Sequence, residues 1–175
     1  MTEIRFERRR FGILRPIAIV IGSWSWMPRL LPWITRFDLW LQRISRGRVT
    51  LLDLAGLPNL TLTTVGRKSG VPRTNPLLCV PDGDRILVAG SFFGGPKEPM
   101  WVKNIEANPQ VTGRFRRRDH ALTARRLDGE DRAQAWSTMV RVWPNFDRYE
   151  QWTDRTIKVF ALTPSRDAED TRRGS

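Results

Sequence analysis

The residues best suited to chemistry lie between Thr61 and Leu78, in the segment TLTTVGRKSGVPRTNPLL. β-forming residues on both sides of GRKSG predict two strands joined by a tight turn, which Gly66 and Gly70 bracket. The turn carries Arg67 and Lys68, and a tight turn leaves several backbone N–H groups without strand partners. Cations and free N–H groups at a rigid corner favour an anion with several oxygens, such as a phosphate or a chain of carboxylates. A solvated basic hairpin tip is the alternative, because exposed Arg and Lys are common.

A second segment, beginning at Ser91, predicts another corner that favours anions. SFFGGPK reads as a loop, and Pro99 near the first helical position predicts a helix from Met100 to Ala107. The start of this helix presents unpaired N–H groups beside Lys97. A plain junction between loop and helix is the alternative, but the position soon after GRKSG favours a shared site.

Composition excludes several kinds of site. The chain has one cysteine, Cys79, and one histidine, His120. An intrachain disulfide, a cysteine zinc site and a two-histidine metal site are therefore excluded, and we predict no metal site. His120 follows RRRD, where a charged hairpin turn is predicted, so we expect an ordinary exposed side chain. The formal net charge of +12 calls for an acidic partner, which could be an anionic ligand, an anionic membrane or a nucleic acid.

The remaining patterns predict the elements that position these segments. Hydrophobic periodicity and turn signals give helices first, followed by the order β-β-β-α-β-β-α-α-β. Antiparallel hairpins with helices inserted between strands predict an α+β fold with a small barrel. Pro72 and Pro76 predict an edge or a bulge in the second strand. The later strands and helices are expected at 85–90, 110–115, 121–127, 128–143, 145–154 and 157–162.

Residues 1–48 form a basic segment with ten arginines against three acidic residues. Apolar residues from Leu30 to Ile44 recur at helical spacing, which predicts an amphipathic helix. A basic, tryptophan-rich helix suits the interface of an anionic membrane, whereas packing on the domain or on a second subunit is the other interpretation. Four of the eight tryptophans lie here, at Trp24, Trp26, Trp33 and Trp40.

The apolar run from Ile17 to Met27 bears on localisation. It is shorter than the roughly 20 residues that a membrane span needs. An arginine cluster before an apolar run is typical of a signal peptide, but no small-x-small cleavage site follows this one. We therefore expect a cytoplasmic protein, with peripheral contact to the inner face of the membrane if the amphipathic helix binds lipid.

Several motifs, in a fixed order, resemble one known family. GRKSG-x-PR-x-NPL is followed by AGS, by GGPKEPMW-x-x-N and ANP, and later by WTDRTI. Between Leu60 and Pro164, this combination is similar to the deazaflavin-dependent nitroreductase and quinone reductase family. The resemblance implies a split β-barrel of the FMN-binding, pyridoxamine-phosphate-oxidase-like type over residues 49–164. Residues 1–48 would then be a helical extension and 165–175 a disordered tail.

The resemblance also implies a cofactor, coenzyme F420, which is a deazaflavin with a phosphate and a polyglutamate tail. Arg67, Lys68, Ser69 and Arg73 would bind the phosphate and the tail. The adjoining strand would contribute Thr74, Asn75, Pro76 and Leu78. Ala89 and Ser91 would offer backbone groups to the ring, and the helix would add Met100, Trp101 and Asn104. Flavin mononucleotide remains an alternative that the basic corner does not exclude.

The reaction implied by the resemblance is hydride transfer to an electron-poor acceptor. Leu78, Trp143, Phe146 and Tyr149 would line the acceptor pocket, with Ser91 or Tyr149 hydrogen-bonded to the acceptor oxygen. Better-known members of the family have tyrosines at Leu78, Trp143 and Phe146, and a lysine at Phe92. The more apolar pocket suits a quinone or an unsaturated lipid better than nitro compounds, and with a membrane-seeking first segment a membrane quinone such as menaquinone is the leading expectation. Core packing is the alternative for Phe146, Tyr149 and Trp152, which recur at three-residue spacing.

Other functions remain to be separated. Within the same fold, the acceptor could be an activated C=C bond in a fatty acid, a terpenoid or a bilin. Outside it, the chain could be a basic nucleic-acid-binding protein or a membrane-surface protein that binds the cofactor without turnover. The basic residues are dispersed and no nucleic-acid-binding motif is present, so we expect no nucleic-acid partner.

Overall fold

The computed structural model describes residues 57–165 together with Ile19, Trp33, Arg36, Trp40 and Ile44. Six strands are present in this part of the chain: β1 (Asn59–Val65), β2 (Pro72–Asp82), β3 (Arg85–Ala89), β4 (Gln110–Phe115), β5 (Arg118–Leu127) and β6 (Val159–Pro164). The helices are α1 (Met100–Ala107), α2 (Gly129–Val142) and α3 (Asn145–Gln151), and Phe92–Gly94 forms a 3-10 turn. The predicted order of strands and helices after the N-terminal segment is confirmed.

The six strands close into an antiparallel barrel in the order β1-β2-β3-β6-β5-β4. β2 is shared between two neighbours, because its first half pairs with β1 and its last four residues pair with β3. Pro72 and Pro76 both lie in the half that pairs with β1. Within the described residues this stretch has no second neighbouring strand, which agrees with the predicted edge or bulge, because proline lacks the N–H that such a neighbour would require. The α+β barrel with inserted helices is confirmed as well.

Two hydrophobic clusters hold the barrel and its helices together. The interior cluster forms because alternate residues of each strand point inward, as the alternating burial of β1 illustrates. Helix α1 adds Trp101, Val102 and Ile105 to this interior cluster. The outer cluster lies between α2, α3 and the outward residues Val80, Leu87 and Ala161 of β2, β3 and β6. Leu78, Ala89 and Phe93 pack against the outer cluster.

The hairpin between β4 and β5 differs from its prediction. Its turn contains only Arg116 and Arg117, because β5 begins at Arg118. Arg116 and Arg117 have φ angles of 49° and 65°, so two residues suffice to reverse the chain. Such turns are usually recognised by Asn-Gly or Asp-Gly, and Arg-Arg does not signal one. His120 consequently lies within β5, opposite Gly113, and not in a turn.

The end of α3 and the start of β6 also differ from expectation. α3 ends at Gln151, three residues earlier than predicted, and β6 begins at Val159, two residues later. Asp128 occupies the N-cap position of α2 but makes no capping hydrogen bond with its side chain. Its carboxylate instead accepts a hydrogen bond from Arg126 Nε at 3.1 Å.

Of residues 1–48, the five described residues are all helical. The backbone carbonyl of Ile19 accepts a hydrogen bond from Asn145 Nδ2 at 2.7 Å, and Ile19 packs against the outer cluster. Trp33, Trp40 and Ile44 are 69%, 54% and 61% exposed. No helix formed by the described residues is long and apolar enough to cross a membrane. The rest of the predicted extension and the tail after Ser165 lie outside the described residues.

Candidate functional site

Backbone hydrogen bonds within the turn hold the GRKSG corner between β1 and β2. The Gly66 N–H donates to Val71 O at 3.0 Å, and the Gly70 N–H donates to Gly66 O at 2.8 Å. Gly70 has a φ of +66°, which is the conformation that the sequence predicted for a glycine. Gly66 is required for a different reason, since a Cβ there would lie 2.7 Å from Ser69 Oγ and 3.0 Å from Val71 O.

The buried side chain of Asn104 joins helix α1 to this turn. Its Oδ1 accepts a hydrogen bond from the backbone N–H of Arg67 at 3.2 Å. Its Nδ2 donates to Thr64 Oγ1 at 3.2 Å, and the Thr64 hydroxyl donates to Arg73 O at 3.5 Å. Helix α1 and both strands next to the turn are therefore linked through Asn104.

The cations of the corner are not neutralised by nearby carboxylates. Arg67, Lys68 and Arg73 are exposed, and none of them forms an ion pair within the described part of the chain. Several other arginines do have acidic partners: Arg114 with Asp119 at 2.7 Å, Arg125 with Asp131 at 3.1 Å and Arg132 with Glu150 at 2.7 Å. The positive charge of the corner therefore remains available to an anion.

The predicted strand wall from Thr74 to Leu78 has two faces. Directly paired residues of antiparallel strands share a face, and Asn75 pairs with the inward-pointing Leu62. Thr74 pairs with Thr63 on the opposite face, where the two hydroxyls lie 3.0 Å apart. Pro76 and Leu78 share the face of Thr74, whereas Arg73 shares that of Asn75, because side chains alternate along a strand. A ligand on one face can thus contact only half of these side chains.

The predicted cofactor-binding residues of α1 also point in different directions. Met100 is 60% exposed at the start of the helix, whereas Trp101 lies in the barrel interior, with its ring 6.1 Å from that of Phe160. Lys97 is exposed just before the helix. Glu98 is held by Lys158, whose Nζ lies 3.0 Å from Glu98 and 2.7 Å from Glu106. The acidic residue at this corner is therefore already paired.

The loop after β3 has an unusual backbone. Phe92, Phe93 and Gly94 have φ angles of 48°, 52° and 73° in succession. The Ser91 carbonyl accepts the Gly94 N–H at 3.0 Å, so it is used within the loop. Arg155, which the sequence interpretation did not single out, donates from Nε to Gly95 O at 3.1 Å. Ser91 and Ala89 themselves are half-buried.

The four predicted acceptor-pocket residues come together in or against the outer cluster. Trp143, Phe146 and Tyr149 are buried, and Leu78 packs against them. The Trp143 Nε1–H donates to the Tyr149 hydroxyl at 3.3 Å, and the Phe146 and Tyr149 rings meet edge to face at 6.2 Å. Phe93, which the sequence interpretation also missed, lies 5.6 Å from the Tyr149 ring. Phe146 and Tyr149 are therefore core in this structure, and Phe93 connects them to the loop that carries Ser91, whereas Trp152 is 36% exposed with its ring 5.7 Å from that of Tyr149.

Burial determines the protonation of Tyr149, which is 2% exposed. Desolvation raises the pKa of its phenol to about 12, and hydrogen bonds with Trp143 and Asn145 oppose this only in part. At neutral pH the hydroxyl keeps its proton and can act as a donor.

Comparison with known proteins supplies the family context. Residues 33–164 match the family model described as F420H(2)-dependent quinone reductase. An F420H(2)-dependent quinone reductase of Mycobacterium tuberculosis is 32% identical over 126 residues, which cover 70% of this chain and 85% of that protein. A solved structure of an F420-H2 dependent reductase has a TM-score of 0.56 and 37% identity, over 60% of this chain and 93% of the other. A second solved structure, described as a domain-swapped dimer, has a TM-score of 0.59 and 32% identity, over 73% of this chain and 98% of the other.

Proposed function

Since the chain belongs to the F420H(2)-dependent quinone reductase family, we propose that it is an oxidoreductase that transfers a hydride from reduced coenzyme F420 to a menaquinone-like quinone. When bound, the reduced deazaflavin supplies the hydride, while the protein supplies placement and electrostatics. The described residues offer hydrogen-bond donors, cations and an apolar cluster, which are the groups needed to place the cofactor and the acceptor.

The observation that carries the cofactor assignment is the unpaired positive charge of the GRKSG corner. Arg67, Lys68 and Arg73 are exposed at and beside the turn, and these three cations fit the phosphate and carboxylates of the cofactor tail. A charge-assisted hydrogen bond of this kind contributes about 1.5–3 kcal/mol. Asn104 links α1 to the turn, and Met100 is exposed at the start of the same helix, so we propose that it meets the ligand from that side. Flavin mononucleotide has one phosphate and no polyglutamate tail, so it would use fewer of these groups.

The two faces of β2 refine the proposed contacts. Thr74, Pro76 and Leu78 would meet the cofactor with their side chains, because Leu78 also borders the outer cluster. Asn75 would act through its backbone or through the inner face. Trp101 would support the site from inside the barrel.

The acceptor proposal depends on the apolar outer cluster next to the Ser91 loop. Leu78 is half-buried at the border of this cluster, and Trp143 and Phe146 pack behind it, so the surroundings are apolar and aromatic and suit a flat, hydrophobic quinone ring. We propose the half-buried Ser91 as the hydrogen-bond donor to the acceptor oxygen. The buried Tyr149, which keeps its proton at neutral pH, would support the pocket through its hydrogen bond with Trp143. A screen of menaquinone analogues, nitro compounds and activated C=C substrates would separate this proposal from the alternatives.

We further propose that the N-terminal helix contacts an anionic membrane surface. Trp33, Trp40 and Ile44 are exposed, and their spacings of seven and eleven residues would put them on one face of the predicted amphipathic helix. The Arg36 guanidinium lies 5.9 Å from the centre of the Trp33 ring. Arginine beside interfacial tryptophan is typical of helices that lie in the headgroup region. A quinone dissolved in the same membrane would then be within reach of the enzyme.

The cofactor assignment is tested by titrating the protein with coenzyme F420 while following tryptophan fluorescence. Arg67→Ala/Lys68→Ala should weaken binding tenfold or more, which is about 1.4 kcal/mol. Arg117→Ala/Arg118→Ala removes the same charge from a different exposed hairpin and should change the affinity less than threefold. Equal losses in both double variants would mean that net charge alone attracts the ligand. No binding to the unmodified protein at low salt would refute the cofactor assignment.

A further inference from the structure

The side chain of Asn104 is buried, so its carboxamide oxygen and nitrogen are not open to solvent. It is 5% exposed, its Oδ1 accepts the Arg67 N–H and its Nδ2 donates to Thr64. An asparagine that contacted the cofactor directly would need an exposed amide. This residue therefore affects a ligand by way of the groups that it holds.

The GRKSG turn has few other connections to the rest of the protein. Its remaining hydrogen bonds in the described part of the chain stay within residues 66–71. Asn104 is the one side chain from outside the hairpin that bonds to this turn, again within the described residues. The orientation of Arg67 relative to α1 is thus set by one buried amide.

The chemistry of the bridge requires an asparagine. Arg67 presents a donor and needs an acceptor, whereas Thr64 uses its hydroxyl proton toward Arg73 O and needs a donor. A carboxamide supplies one of each from a planar group. It does so without adding a negative charge, which would repel an anion at this corner.

We propose that Asn104 is a positioning residue for the anion-binding corner, and that it sets the affinity for the phosphate and polyglutamate tail by fixing the Arg67 backbone and the strand position of Arg73. This inference rests on the proposed function for the identity of the ligand. The hydrogen bonds from Asn104 to Arg67 and Thr64 are seen in the structure and do not depend on the identity of the ligand.

The test compares two ligands and one backbone amide. Asn104→Leu should weaken binding of coenzyme F420 at least tenfold, but it should change binding of the same deazaflavin without phosphate and glutamates less than twofold. Hydrogen exchange of the Arg67 amide should become at least tenfold faster. Asn104→Asp keeps the acceptor, so Arg67 should stay protected while F420 binding weakens and becomes more sensitive to salt.

Two further variants provide controls. Thr64→Val removes the second half of the bridge, and its effect on F420 binding should not add to that of Asn104→Leu. Ser165→Ala removes a buried hydroxyl that bonds to Gln110 and Thr123 instead. It should alter neither the ligand ratio nor the Arg67 exchange.

Equal weakening of both deazaflavins by Asn104→Leu, or unchanged exchange at Arg67, would overturn the inference. If the unmodified protein binds neither deazaflavin, the proposed function is wrong. The variants would then be compared with tripolyphosphate as the anion. A loss of tripolyphosphate binding in Asn104→Leu with faster Arg67 exchange would support the positioning role, and no loss would refute it.

Discussion

Arg155 donates a hydrogen bond from Nη2 to the backbone carbonyl of Ser91 at 2.7 Å, although 64 residues separate the two in the chain. Its Nε donates to Gly95 O at the other end of the same loop. Between these anchors, three consecutive residues have positive φ angles, which is costly for Phe92 and Phe93. The guanidinium thus holds a strained loop that places Phe93 against Tyr149.

Arg155→Met should destabilise the protein by about 2–4 kcal/mol, because two charge-assisted hydrogen bonds are lost and two carbonyls lose a donor. Urea unfolding would measure this change. Arg125→Met breaks an exposed ion pair with Asp131 and should cost less than about 1 kcal/mol. Similar losses in both variants would show that Arg155 does not hold the loop.

Tyr149 should titrate far above an ordinary tyrosine. It is the single tyrosine of the chain, so absorbance at 295 nm reports this group alone. The midpoint should lie near pH 12 in the folded protein and near pH 10 after unfolding. A folded midpoint near 10 would contradict the burial of the phenol.

The same shift predicts how stability depends on pH. Because the folded pKa is raised above the unfolded value, the stabilisation is complete below pH 10 and is lost as the pH rises from about 10 to about 12. The difference in free energy of unfolding between the unmodified protein and Tyr149→Phe should therefore shrink over that interval. A difference that stays constant with pH would refute this linkage.

Gly94 and Gly83 form a matched pair for testing the packing of the Ser91 loop. Both have positive φ angles, of 73° and 67°. A Cβ at Gly83 would meet nothing within 4 Å, whereas one at Gly94 would lie 3.0 Å from Tyr149 O and from Trp152 Cβ. Gly83→Ala should cost about 1–2 kcal/mol of backbone strain, and Gly94→Ala about 1–3 kcal/mol more from crowding. Thermal or urea unfolding would compare the two variants, and equal losses would mean that α3 moves away freely.

The membrane proposal predicts a specific loss of lipid binding. Trp33→Glu/Trp40→Glu should reduce binding to vesicles of phosphatidylglycerol and phosphatidylcholine at least tenfold in a sedimentation assay, since it removes the exposed apolar face. Arg117→Ala/Arg118→Ala makes the same change in net charge and should reduce binding much less. Unchanged binding after the tryptophan substitutions would refute membrane contact by this helix.

Local signals in the sequence were sufficient for the order of elements and for the basic corner. Alternating strands, glycine and proline punctuation, and the Pro99 helix start depend on neighbouring residues, which the sequence displays directly. The GRKSG turn was predicted for this reason, as was the edge character of the strand containing Pro72 and Pro76. The short Arg116–Arg117 turn was missed, because its left-handed backbone is imposed by strand pairing and not by its residue types.

Only the tertiary structure decided which groups of the candidate site are exposed and which are buried behind them. The motif that contains Asn104 was evident, but its amide is buried and bonded to Arg67 and Thr64, which lie about 40 residues earlier in the chain. Trp101 likewise faces the barrel interior, and the Tyr149 hydroxyl is buried beside Trp143. These outcomes depend on contacts between elements that are distant in sequence. A residue's type and spacing show the chemistry that its side chain can perform, whereas the packing around it determines whether that side chain reaches a ligand.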